Sequence, residues 1–369
     1  MILQSLSLFN YKNIAEANLS FSSKINCFVG LNAQGKTNIF DAIYLLSFTK
    51  SAFNTMDAQN IRHNEQMAWI EGIYTDGSES TNIVVSCSLR IGHKKQFRVN
   101  KKLCTRMMDH IGTIPLVLVT PEDNILVDSG SDERRKFMDI AICQNNKSYL
   151  RDLMQYNALL KQRNALLKKY NSQAVITDDD TLLEVLEEQM IPLNESIFEY
   201  RKDFVKAFIP FFQQIYNKIA GEIEKVDIVY ISQLHTNDIR QSFKQTRERD
   251  KILGWTSRGI HKDDLGLFLL DPNTNIPYNL KRTGSQGQQK TFIFALKLAQ
   301  MHFLQDPILL LDDIFDKLDS DRVHNIVDMI LDDHFGQIFI TDTNRQHLTE
   351  LIPAGSNAIF HVENGNITY

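Results

Sequence analysis

Eight residues constrain this chain more than any others: Gly30-Leu-Asn-Ala-Gln-Gly-Lys-Thr37 satisfies G-x-x-x-x-G-K-[ST] without a mismatch. Ile25-Asn-Cys-Phe-Val reads as a short apolar strand running into Gly30. Asn38-Ile-Phe-Asp-Ala-Ile-Tyr-Leu-Leu has helical periodicity, so the loop joins strand to helix as the motif requires. Two glycines let such a loop curl until its backbone N–H groups surround phosphates, and the helix N-terminus adds positive potential. Gly30, Leu31, Asn32, Ala33, Gln34, Gly35, Lys36, Thr37 and Asn38 are therefore expected to hold a nucleoside triphosphate, ATP. Lys36 is expected on the β- and γ-phosphates and Thr37 on Mg2+.

Ile308-Leu-Leu-Leu-Asp-Asp313 is a second apolar strand, ending in two carboxylates. A buried strand delivers an acid to a metal at its C-terminal end in this way, so Asp312 is expected to hold Mg2+, directly or through water. Asp313 is placed to polarise the attacking water, which makes Asp313 and Lys36 the expected catalytic residues. About twenty residues earlier, Gly284-Ser-Gln-Gly-Gln-Gln-Lys290 opens a helix, and Ser285 suits its N-cap. The order of these segments, with Leu318-Asp319 following, resembles the ATP-binding-cassette plan. That resemblance implies that Ser285, Gly287 and Gln288 of one subunit complete the γ-phosphate site of another, in an ATP-sandwiched homodimer.

The rest of the chain divides by period. Residues 1–135 are strand-like with one helix, and are expected to form the N-terminal part of an ATPase head. Over 136–248 the period becomes 3.6. Leu153, Tyr156, Leu160, Leu167 and Tyr170 mark one helix, interrupted by Arg163; Leu183 to Phe204 mark a second, with Pro192 as a place for a kink. These two make an antiparallel arm, read as a packed subdomain in preference to a projecting coiled coil. Residues 249–369 alternate strand and helix again and are expected to complete the N-terminal sheet. The fold class expected is α/β, a P-loop head with a mixed sheet and an inserted helical arm subdomain.

Composition excludes some classes. Cys27, Cys87, Cys104 and Cys143 lie far apart without C-x-x-C or His at metal spacing, against a disulfide framework or a zinc site. The N-terminus reads as a strand and not a signal peptide, and no run of 18 apolar residues occurs, so a cytoplasmic protein with no membrane partner is expected. The net charge of −5 means that nucleic-acid contact requires a local basic patch. Arg90 to Met108 supplies one: Lys94, Lys95, Arg98, Lys101 and Lys102, with Arg90 and Arg106, and no acid among them. Backbone-directed DNA binding and protection of a sheet edge both suit such a hairpin. Lys161, Arg163, Lys168 and Lys169 on the arm form a second candidate face.

More than 200 residues between phosphate loop and signature look like the SMC and RecF branch of the cassette ATPases. The chain resembles the RecF family over essentially its full length. The matching segments are Asn10-Tyr-Lys-Asn-Ile, Val29 to Asn38, Thr120-Pro-Glu-Asp, Arg134-Arg135 with Phe137-Met-Asp139, Lys161-Gln-Arg-Asn164, Gly259-Ile-His-Lys-Asp-Asp264 and Leu311-Asp-Asp. The resemblance implies an ATP-dependent DNA-binding repair protein with weak, DNA-stimulated ATPase activity serving as a switch. It also implies action at single-strand gaps and duplex junctions, RecR and RecO as partners, help in recombinase loading, and SOS induction. The family usually has Arg where Lys12 and Asn54 stand, Pro at Ile260 and Leu at Gly284. Lys12 keeps a cation without the bidentate guanidinium. Thr341 and Asp342 occupy the position of the transporter switch histidine, which suggests slow turnover. An architectural, SMC-like DNA linker is the rival reading, although a helix of roughly 40 residues spans only about 60 Å; a transporter ATPase subunit is a third.

Overall fold

The computed structural model describes residues 1–76, 82–172, 180–221, 224–313, 319–331, 336–343 and 357–369. Two compact units result: Met1–Asn124, Gln214–Glu222 and Ser285–Tyr369 in one, Ile125–Gln213 and Ile223–Gly284 in the other.

In the first unit the strand Ile25–Val29 (β3) is buried at every position. A strand buried throughout needs neighbours on both edges and cover on both faces. It has them in a sheet ordered β15-β14-β3-β13-β12-β8, in which β8 is Leu116–Val119, β12 Ile308–Leu311, β13 Ile338–Asp342, β14 Asn357–Glu363 and β15 Asn366–Thr368. All its pairings are parallel except β14 with β15. The C-terminal strands thus flank the strand that enters the phosphate loop, as the sequence leads one to expect. A second, antiparallel sheet runs β2-β1-β4-β5-β6-β7, comprising β1 (Ile2–Tyr11), β2 (Ile14–Ser20), β4 (Met67–Thr75), β5 (Asn82–Arg90), β6 (Gln96–Val99) and β7 (Lys102–Leu103).

Helix α1 (Lys36–Phe48) is buried at every position but Thr37 and Asn38, because it lies against strands of both sheets. Its Phe40 meets Phe28 of β3 edge-on at 6.0 Å, and a Cβ on Gly72 of β4 would come within 2.9 Å of its Leu46. The buried amide of Gln337 ties the sheets together, accepting from Leu3 N–H (2.7 Å) and donating to the carbonyls of Leu3 and Ser22 (both 2.8 Å).

The second unit holds α2 (Ser131–Asn145), α3 (Lys147–Asn171), most of α4 (Thr181–Ala220), α5 (Ile239–Leu253) and a small antiparallel sheet. That sheet is ordered β11-β10-β9: Pro277–Asn279, Asp264–Leu270 and Lys225–Ile231. Contacts pair Arg163 with Glu187, Asp152 with Ser196 and Tyr149 with Arg201. Residue numbers fall on one helix as they rise on the other, so α3 and α4 are antiparallel and packed side by side. Pro192 and Pro210 both lie inside α4.

Three expectations need correction. Arg163 neither interrupts the apolar stripe nor belongs to a solvated basic face. It is fully buried in line with Tyr156, Leu159 and Leu167, and Glu187, Asp250 and Thr256 hold its guanidinium at 2.8–2.9 Å. The boundaries read at 135 and 248 lie instead after Asn124 and Gly284. Arg134 grips Asp264 of β10 (2.7 and 3.0 Å), and β10 pairs with β9, so 125–135 and 249–284 fold with the helices. The inserted subdomain is therefore mixed, with a sheet of its own. All four cysteines are free thiols, and among the described residues no helix is long and apolar enough to cross a membrane.

Candidate nucleotide site

The phosphate loop takes its shape from close approaches that only glycine permits. A Cβ on Gly30 would stand 2.2 Å from the Val362 carbonyl of β14, while Gly35 has φ +117° with the Asn13 side chain 2.7 Å from where its Cβ would be. Ala33 is also left-handed, at φ 64°. Asn13 Nδ2 and Gly365 N both donate to the Gln34 carbonyl at 2.9 Å, and Asn38 Nδ2 donates to Asn13 Oδ1 at 2.7 Å. The β1–β2 turn of the antiparallel sheet and the β14–β15 turn thus brace the loop.

Lys36 is 4% exposed, and its Nζ donates to the carbonyls of Gly30 (2.7 Å) and Leu31 (3.2 Å) within the curl. Asp313 Oδ1 lies 3.9 Å from the same ammonium. Thr37 Oγ1 donates to Asp312 Oδ2 at 2.7 Å, joining residues from opposite ends of the chain. Thr341 Oγ1 donates to Asp312 Oδ1 at 2.6 Å and accepts from Asp313 N–H at 2.9 Å. Burial pushes the Asp312 carboxyl above its ordinary value, and the two threonine hydroxyls pull the other way. Two adjacent oxygens on octahedral Mg2+ stand about 2.9 Å apart, so the Thr37–Asp312 pair, two hard oxygen donors, fits that ion.

Beside the loop runs an open groove of about 970 Å³, lined by Lys12, Asn13, Gln59, Arg62 and His63 among others. Its size suits a small ligand. No motif marks residues 58–65; Lys12 and Asn13, within the Asn10-Tyr-Lys-Asn segment, offered the signal in the sequence. Lys12 enters no loop contact: its Nζ lies 2.6 Å from Asp41 Oδ2, on a buried carboxylate that also accepts from Tyr11, Ser51 and the Ala52 N–H. Asn54 donates to Asn60 Oδ1 at 2.9 Å.

The fold brings Gly30, Lys36, Thr37, Asp312 and Asp313 together, and Lys290 of the signature segment lines a small cavity with Asp313. Ser285 caps helix α6 (Gln286–Met301) in a reciprocal capping box with Gln288. That helix is fastened beside β8, Lys297 reaching the Leu118 carbonyl (3.0 Å) and Asp123 (2.6 Å). In the sheet order β8 lies three strands from β3, about 14 Å at ordinary strand spacing. Of the Leu318-Asp319 pair, Leu318 lies outside the described residues, and Asp319 accepts from Arg322 N–H at 2.9 Å at the start of helix α7 (Ser320–Leu331).

The basic segment is a hairpin at one edge of the antiparallel sheet, turning through Asn100 and Lys101 with φ 49° and 66°. Lys94, Arg98, Lys101 and Lys102 are exposed, whereas Lys95 is paired with Asp57 at 3.1 Å.

A family model for the RecF/RecN/SMC N-terminal domain matches residues 2–368. The DNA replication and repair protein RecF of Bacteroides fragilis is 47% identical over 374 residues, covering 100% of this chain and 98% of that protein. The protein of the same name from Porphyromonas gingivalis is 43% identical over 375 residues, covering 100% of both. Among solved structures, the recombination mediator protein RecF with ATP, of the RecFOR pathway, has a TM-score of 0.85 at 24% identity, covering 100% of this chain and 97% of that one. An Smc head bound to the C-winged helix domain of ScpA has a TM-score of 0.61 at 15% identity, covering 100% and 96%. These two share the α/β fold of this chain.

Proposed function

The chain belongs to the RecF family of DNA replication and repair proteins, and from that premise we propose an ATP-dependent DNA clamp of recombinational repair. Two copies close around two ATP molecules, their basic surfaces hold DNA near single-strand gaps, and slow hydrolysis reopens the dimer. The observation that carries this reading is the Thr37–Asp312 contact at 2.7 Å, which sets a phosphate loop beside an acidic strand end.

In this mechanism the loop N–H groups donate to the phosphate oxygens, and Lys36 exchanges the Gly30 and Leu31 carbonyls for the β- and γ-phosphates. Thr37 and Asp312 would hold Mg2+, which would supply charge neutralisation at the reacting phosphate. Asp313 orients the attacking water and takes its proton. The second half of each site comes from the partner copy. Within its own chain Gly287 has no need to be glycine, since a Cβ there meets only Arg322 Nη1 at 3.6 Å. A bare helix start with Ser285 exposed suits the approach of a phosphate carried by another subunit. Cytoplasmic location, partnership with RecR and RecO, help in recombinase loading and SOS induction complete the reading from the family plan. The linker alternative carries less weight, because α3 and α4 fold against each other.

Nucleotide binding and light scattering on three variants test the proposal. Lys36→Ala is expected to lose ATP binding, Asp313→Asn to bind ATP and accumulate as dimer, and Ser285→Arg to bind ATP and stay monomeric. A Ser285→Arg protein that dimerises normally with ATP would refute the shared site.

A further inference from the structure

The two acidic residues at the end of β12 depend on one hydroxyl that neither the phosphate loop nor the acidic strand supplies. Thr341 is fully buried near the end of β13, between the strand that enters the phosphate loop and the strand that ends in Asp312. Its hydroxyl has a single proton. An ionised carboxylate only accepts and a backbone N–H only donates, so that proton goes to Asp312 Oδ1 (2.6 Å) and the oxygen receives Asp313 N–H (2.9 Å). With Oδ1 held in this way, Oδ2 faces Thr37 at 2.7 Å. Asp313 sits at φ 43°, a left-handed conformation costly for a residue other than glycine, and the bond to Thr341 is one that this backbone makes there. The next residue joins the same region, the Asp342 carbonyl accepting from Gly30 N–H at 3.3 Å.

We propose that Thr341 is the positioning residue of the site: its hydroxyl sets the Asp312 rotamer that offers Oδ2 to Mg2+ and holds the Asp313 backbone that aims the second carboxylate. The proposal rests on the ATPase reading of the site. The Thr341 hydroxyl bonds Asp312 Oδ1 and Asp313 N–H. Its contribution passes through Asp312 and Asp313, and remains when the Thr37 hydroxyl leaves Oδ2 for the metal.

The test uses the full chain as Thr341→Val, which keeps shape and loses the hydroxyl, and Thr341→Ser, which keeps the hydroxyl. A fluorescent ATP analogue is titrated in EDTA and in Mg2+, and Mn2+ binding to the protein with a non-hydrolysable ATP analogue is followed by electron paramagnetic resonance. Thr341→Val is expected to bind the analogue in EDTA like the parent, and to lose about tenfold or more in Mn2+ affinity, as when a ligand's orienting partner is removed. Thr341→Ser is expected to retain the parent's affinity for both. A Val variant with the parent's Mn2+ affinity and Mg2+ dependence overturns the proposal. If the Val variant melts early in EDTA, the Ser variant decides: retained Mn2+ affinity supports the role and a loss of about tenfold overturns it. A parent protein that does not bind the analogue at all would sink the ATP reading itself, a result separate from any difference among the variants.

Discussion

His261 shows how much of the second unit is settled one side chain at a time. Its Nε2 lies 3.0 Å from the Thr256 carbonyl, which can only accept, so Nε2 carries the proton and Nδ1 receives the Tyr156 hydroxyl at 2.6 Å. Burial pushes the imidazole down to about 4, and the charges of Lys262, Arg135 and Arg163 add to that push. Between that value and the ordinary 6.5 the unfolded chain binds a proton that the folded one refuses. The contribution is therefore whole above about pH 6.5 and is lost as pH falls toward 4, by at most about 3 kcal/mol. Urea unfolding followed at Trp255, in a Trp69→Phe background, is expected to weaken steadily over that window, and His261→Gln to flatten the slope. An unchanged slope in the variant would mean that another group refuses the proton. Arg163 makes the complementary point about reading residues in sequence. Its partners lie 24, 87 and 93 positions away, so a buried cation reads as a surface one until the fold assembles them. The phosphate loop was readable because its eight residues are contiguous and each acts through local backbone geometry.

At the scale of elements the basic hairpin is the most testable. Asn100 fits its left-handed turn position and also accepts from Val84 N–H at 2.9 Å, so the turn is anchored to β5 whatever the lysines do. Charge can thus be changed without undoing the hairpin. Replacing Lys94, Lys101 and Lys102 by Glu is expected to weaken duplex binding and to lower the slope of log affinity against log salt by up to about 3, near 0.9 for each phosphate no longer neutralised. Lys95→Glu alone is expected to do less, since Asp57 already holds that ammonium. Unchanged affinity and slope, with new self-association of the triple variant, would assign the lysines to edge protection instead. Elements were readable where period and length agree, as in α1, α3 and β12. The β9–β11 sheet was not, although Val226, Ile228 and Tyr230 alternate inward, because β9 and β10 are separated by helix α5 and nothing local pairs them. The open groove escaped for a related reason: residues 58–65 carry no motif, and nothing local brings them to Lys12 and Asn13.

For the whole molecule, the placement of the two half-sites governs the kinetics. The phosphate loop and the signature serine lie in the same compact unit, but the signature helix is fastened three strands away from β3, so a single chain is short of a complete site on the proposed reading. Hydrolysis per chain should then rise with protein concentration at fixed ATP, because the active species is the dimer. With a net charge of −5 the isolated chain has little general attraction for DNA, and on the proposed reading a closed dimer would offer two hairpins to one duplex, so that binding of the second would be intramolecular. ATP turnover at low salt is therefore expected to be stimulated by duplex or gapped duplex, less by single strands, and the stimulation should fade as salt releases the counterion advantage. Mixing Lys36→Ala with Ser285→Arg provides the sharpest version. Each variant alone lacks a complete site, whereas a mixed dimer pairs the intact loop of one with the intact serine of the other. Neither variant dimerises with itself on this reading, so the dimers in an equal mixture are mixed, each with one good site of two, and recovery should reach at most about half of the parent rate. A mixture as inactive as its components, beside a parent whose specific activity is independent of concentration, would place the whole reaction within one chain and remove the clamp.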